Sequence, residues 1–140
     1  TVIYVNNDLK IIQSLEKDNE KILSSKESKI VENIVSTMSY SYVKKNGFPN
    51  LGKYQVAYNI VREADLLCAY DFDRCMIYQM NKNNGNVIDA YNDAVNLFDV
   101  RVFKHMNDGL LLTDYARNNY QCLEQDGRNR MNHWKKILKH

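Results

Sequence analysis

Residues 60–80, IVREADLLCAYDFDRCMIYQM, place a carboxylate where apolar side chains belong. At 3.6 residues per turn, Val61, Asp65, Ala69, Phe72 and Met76 follow one another at steps of four, four, three and four, which makes a single helical stripe. Asp65 is its only polar member. Leu66, Leu67, Cys68, Tyr70 and Ile77 cover much of the remaining circumference, so this helix is expected to be buried on most sides. A carboxylate on such a face must be neutralised, paired with a cation or bound to a metal. Two readings stay open. One is structural: an ion pair with Arg62 or Arg74, or a hydrogen bond to a helix end. The other makes Asp65 a metal ligand or a catalytic acid at the base of a pocket. On a straight helix Asp73 lies only about 80° round from Asp65, whereas Asp71 points largely away. Asp73 and Arg74 could therefore serve a substrate, with a structural ion pair as the simpler role. Glu63 is expected to face solvent.

A second set of reactive groups lies just upstream. Residues 39–53, SYSYVKKNGFPNLGK, carry Ser39, Ser41, Lys44, Lys45 and Lys53 beside Tyr40, Tyr42 and the only proline, Pro49. Lys-Asn-Gly and Phe-Pro-Asn are turn signals, so this stretch reads as a long loop. Hydroxyls and ammonium groups in a loop suit a phosphate, although the same composition also makes an ordinary solvated loop.

Other chemistries lack their residues. There is no GxGxxG or GxxxxGK[ST] phosphate loop and no GxSxG elbow. His105, His133 and His140 show no HxxxH or HExxH spacing, so local zinc motifs are absent. Cys68, Cys75 and Cys122 are odd in number and without a CxxC pair. They read as small buried or half-buried apolar residues in a reducing, cytoplasmic setting.

The elements that must position these groups read as helices. The 140 residues suit one domain; 44% are apolar and 26% charged, and the net charge of +2 draws neither nucleic acid nor an anionic membrane. No apolar run reaches the roughly 20 residues of a membrane span. After Thr1–Val5, a first helix is expected to carry Leu9, Ile12 and Leu15. A second, started by Ser24, Ser25 and Ser28, carries Ile30, Val31, Ile34, Val35 and Met38. The central helix runs from about Tyr54 to the Asn81–Asn86 stop. Another covers about residues 89–106, with Ala90, Ala94 and Leu97 on one face and Phe98, Val102 and Met106 on another. Thr113 caps a helix with Ala116, Tyr120 and Leu123. A closing amphipathic segment holds Met131, Trp134, Ile137 and Leu138. Its Arg128, Arg130, Lys135, Lys136 and Lys139 could touch RNA or DNA, but no base-reading motif accompanies them and a solvated basic face is expected. The fold class is all-α, a single-domain helical bundle.

From the helix before residue 38, through TMSYSYVKKNGFP and IVREADLLCAYDFDR, to LLTDYARNNYQCLEQ, the chain resembles the C-terminal two-thirds of an HD-domain protein. That superfamily comprises all-helical, metal-dependent phosphohydrolases. Its I-V-x-D-A-D-x-L-x-A segment corresponds to Ile60-Val61-Arg62-Glu63-Ala64-Asp65-Leu66-Leu67-Cys68-Ala69, whose Asp is the last metal ligand. The resemblance implies Asp65 as that ligand. It further implies a divalent metal ion, and a nucleotide or other small phosphoester held by Lys44, Lys45, Lys53, Ser39, Ser41, Asp73 and Arg74. The superfamily's His-Asp pair is missing, and no histidine precedes Asp65. The expectation is that those ligands lie upstream of Thr1 and that the chain is the C-terminal part of a phosphohydrolase. The alternative is a metal-free HD-like binding or regulatory domain. A homo-oligomer is compatible with either.

Overall fold

The computed structural model describes residues 24–139, and the readings of residues 1–5 and of the first helix lie outside them. Among the described residues there are six α-helices, two short 3-10 turns and no strand, so the all-α expectation holds. The chain forms two compact units, one ending at Arg62 and one running from Glu63 onward.

In the first unit, α1 (Ser25–Thr37) opens with a capping box. The Ser24 hydroxyl accepts from Glu27 N–H, and the Glu27 carboxylate accepts from Ser24 N–H at 2.8 Å. The stretch read as a long loop then departs from expectation. Ser39 caps a short helix, α2 (Tyr40–Asn46), accepting from Tyr42 N–H. Gly47, at φ 78°, ends it in a conformation that glycine adopts without strain. Val43, buried at 5% exposure, anchors this helix. A 3-10 turn, Gly52–Tyr54, leads into α3 (Gln55–Cys68). Buried Tyr58 on α3 donates its hydroxyl to the Thr37 carbonyl at 3.1 Å, satisfying an orphan group at the end of α1. Arg62 lies 4.9 Å over the Phe48 ring.

The second unit begins inside α3 and continues as α4 (Phe72–Lys82), α5 (Val87–Val100), a 3-10 turn (Val102–Lys104) and α6 (Asp114–Ile137). The single central helix expected over this region is two helices. α3 stops at Cys68, and the Asp71 carboxylate accepts from Arg74 N–H to start α4. The following region also breaks: α5 ends at Val100, and only the short 3-10 turn continues it. In contrast, the last two expected helices are one 24-residue helix.

α4 and α5 form an antiparallel hairpin: Phe72 stacks edge-on against Phe98 at 5.1 Å, while Asn83 donates to Asp93 at the other end. Ala90 and Ala94, fully buried with Phe98 two turns along the same face, keep that approach close. Tyr70, Phe72, Met76 and Val102 complete the core, with Leu123, Met131 and Trp134 of α6 packed against it.

Candidate functional site

Asp65 is exposed. The stripe that appeared to bury it counted helical phase through residues 69–71, where the helix is broken. On α3 the buried positions are Tyr58, Arg62 and Leu66, each one turn after the last, with Glu63 beside them. Val61 and Asp65 lie about 100° round from that face. The buried carboxylate is therefore Glu63, at 2% exposure, the residue expected to face water. It accepts from Leu112 N–H at 2.7 Å, from Thr113 N–H at 3.0 Å and from the Thr113 hydroxyl. These donors stand at the start of α6, where a helix leaves its first N–H groups without partners and favours a negative charge. Glu63 is a structural anchor for α6.

Asp73 is likewise engaged. It accepts from Arg130 Nε at 2.8 Å and from Trp134 Nε1 at 2.8 Å, so its ion pair is with α6 and not with neighbouring Arg74. Burial pushes its carboxyl up, but the two hydrogen bonds and the charges of Arg130 and His133 outweigh that and hold it below the usual carboxylate range. The same contact occupies part of the basic C-terminal face. Arg128 turns to Glu124 and stacks over Phe103.

The expected phosphate groups belong to the first unit. Ser39 is spent as the α2 cap. Ser41, Lys44 and Lys45 are exposed and share one face of α2 by their three- and four-residue spacing. Lys53 sits apart from them in the 3-10 turn, its ammonium 5.0 Å from the Tyr54 ring centre. Among the described residues no three His, Cys, Asp or Glu side chains group closely enough to hold a metal ion. Exposed Asp65 offers one oxygen donor group, and that set does not fit a metal centre by itself. Two of the cysteines read as buried or half-buried, Cys68 and Cys122, are exposed; only Cys75 is half-buried.

A concavity of the second unit lies elsewhere. The end of α3, the start of α4 and the middle of α6 enclose an open groove of about 480 Å³. Leu67, Tyr70, Phe72 and Leu123 supply its apolar surface. Asp71 and Arg74 come from the α4 end, and Asp126 and Arg130 from α6. Tyr115, 71% exposed, stands in its wall. Gly127 shapes the floor: a Cβ there would meet the Tyr70 carbonyl oxygen at 3.0 Å and a Phe98 ring carbon at 3.2 Å. Only a residue without a side chain lets α6 settle this close to the turn between α3 and α4. Of the residues expected to bind a substrate, Arg74 lines this groove. Tyr115, Asp126 and Gly127 went unnoticed, and the one local signal was a glycine in the middle of a helix.

Compared with protein-family models, with curated proteins and with solved structures, the chain matches none of them. No helix among the described residues is long and apolar enough to cross a membrane.

Proposed function

We propose that this chain is a helical binding module, the non-catalytic alternative within the HD-like reading, and that it takes an amphipathic helical segment of a partner protein in the groove of the second unit. The observation that carries this is the lining of that groove. Its volume falls in the range of ligand sites, roughly 300–1,000 Å³. Its floor is apolar and aromatic, and its rim holds two acidic and two basic side chains, Asp71, Asp126, Arg74 and Arg130. A rim of balanced charge gives a phosphoester no net attraction. It suits a helix whose apolar side chains enter the floor while residues of both signs flank them. Three free cysteines suit a reducing compartment, which for this reading is the cytoplasm.

The test is a selection from a library of short amphipathic helical peptides, followed by titration against the purified chain. Arg74→Glu and Tyr115→Ala alter exposed residues of the groove and leave the core alone. Selected peptides should bind each variant at least tenfold more weakly, with amide NMR shifts concentrated at Leu67, Phe72 and Gly127. Peptides that bind both variants as tightly as the parent chain would remove the groove from the account.

A second reading rests on the IVREADLLCA segment. In it Asp65 joins histidines from outside the described residues to hold a divalent ion, and the assembled site hydrolyses a small phosphoester. The exposure of Asp65 leaves its carboxylate open to such donors. Calorimetric titration of Mn²⁺ into the full-length gene product and into its Asp65→Ala variant tests it. Loss of a stoichiometric site in the variant supports this reading, and identical heats defeat it.

A further inference from the structure

The groove of the second unit has two chemically distinct walls once the charges already engaged are set aside. On the α6 wall the Arg130 guanidinium donates to the Asp73 carboxylate at 2.8 Å, and a pair so close leaves little field for a third group. On the α4 wall the Asp71 carboxylate accepts from Arg74 N–H. It lies at the positive end of its helix, where the dipole offsets its charge. That leaves Arg74 on α4 and Asp126 on α6. Both are exposed, and among the described residues no ion pair or side-chain hydrogen bond holds the Arg74 guanidinium or the Asp126 carboxylate. The uncommitted charge of the groove is therefore positive along one wall and negative along the other.

The lining also sets the length of what lies between these walls. Tyr115, Leu123, Asp126 and Arg130 share one face of α6. From first to last they span about 22 Å at a rise of about 1.5 Å per residue, so a helix lying along them takes about 15 residues, or about four turns. Such a helix, with an apolar stripe on the floor, presents one edge of that stripe to α4 and the other to α6. Turning it end for end exchanges the edges. A helix with the same charge on both edges meets one wall with the wrong sign in either direction. A helix with acids on one edge and bases on the other is matched in one direction and opposed in the other.

We propose that the partner of this groove is a helix of about four turns whose apolar stripe is bordered by acidic side chains on one edge and basic ones on the other, and that Arg74 and Asp126 fix the direction in which it lies. Arg74 draws the acidic edge and Asp126 the basic one, a match that rests on the groove being the binding site named above.

Two synthetic peptides of identical composition and identical apolar stripe test this on the full chain. In one, glutamates line one edge and lysines the other; in the second, both residues alternate along both edges. At low salt the segregated peptide should bind about fivefold more tightly, the scale of two exposed ion pairs. The two affinities should converge in about 1 M salt, where charges are screened over about 3 Å. A nitroxide on the N-terminus of the segregated peptide should broaden amide signals at one end of the groove only, at Tyr115 or at Arg130. The double exchange Arg74→Glu/Asp126→Lys, at two exposed positions, should keep the circular dichroism and move the broadening to the other end. Equal affinities for the two peptides at low salt overturn the proposal, and so does a direction that the double exchange leaves unchanged. The groove itself survives either result if amide shifts stay at Leu67, Phe72 and Gly127 and Tyr115→Ala still weakens binding. Peptides that bind without shifting those amides remove the groove, and the directed partner with it.

Discussion

The Glu63 carboxylate draws together two backbone N–H groups and one hydroxyl at the first turn of α6, all without access to bulk water on the carboxylate side. Replacing it with alanine leaves those donors facing a void, and the expected cost is about 3 kcal/mol, the scale of lost hydrogen bonds to a charged group. Glu63→Gln keeps one acceptor and should cost about 1 kcal/mol. Urea denaturation of the two variants checks the ordering. Two other buried groups predict chemistry at high pH. Burial, helped by the nearby charges of Glu124 and Tyr120, pushes the Tyr70 hydroxyl up to about 12. The folded state thus prefers neutral Tyr70 more strongly than the unfolded chain does. Its contribution is fully present below the ordinary tyrosine value of about 10 and is lost as pH rises from there towards 12. The stability difference between the parent and Tyr70→Phe should be flat near neutrality and shrink over that alkaline window. Burial also pushes the Cys75 thiol up to about 11. Since the thiolate is the reactive form, Cys75 should alkylate at least tenfold more slowly near pH 8 than exposed Cys68 and Cys122. Peptide mapping after timed iodoacetamide treatment reads this directly.

At the scale of elements, one cap decides what the sequence conceals. Asp71 was legible as an acidic residue, and it is the exposed N-cap of α4. Its effect was not legible, because an N-cap and a mid-helix aspartate look alike until the backbone turns. Once Asp71 starts a new helix, every phase counted through it is void. Asp65 then moves to the surface and Glu63 to the interior. Asp71→Ala should cost about 1 kcal/mol as a lost cap. The α1 start at Ser24 and the stop after Asn81 were readable because each combines a cap or glycine signal with a clean change of period. α2 was missed because Gly47 and Pro49 dominate its surroundings, while its own evidence is a single serine cap and one buried valine. Gly127 tests the packing of α6. In a solvent-exposed helix, Gly→Ala stabilises by about 1 kcal/mol. Here the added methyl is 3.0 Å from a backbone oxygen, so Gly127→Ala should instead destabilise by about 1–3 kcal/mol, the range of overpacked cores. A raised denaturation midpoint in this variant would mean that the turn at Tyr70 yields easily.

For the molecule as a whole, composition and helical period were enough to give the all-α fold of the described residues, because no segment after Val5 reads as a strand. The groove was beyond that reach. Its walls come from residues 67–74 and 115–130, and nothing local ties Tyr115 or Asp126 to Phe72. The outward side of α3 was hidden by the opposite fault: Val61 and Cys68 were noticed, and their apolar character assigned them to the interior, whereas both are exposed. The lining of the groove and the exposure of Val61 both depend on which way a helix is rotated, a quantity fixed by tertiary contacts such as Glu63 with Thr113. Trp134 is the only tryptophan in the chain, and its indole N–H donates to Asp73 at the contact between α4 and α6. The protein's ultraviolet emission therefore reports from a single place. As pH falls past the ordinary carboxylate range near 3.9, Asp73 takes up its proton later than a free aspartate would, and the indole then loses a charged acceptor. The emission should change colour over that acid range while helical ellipticity holds, giving an optical view of one clasp opening without any added dye.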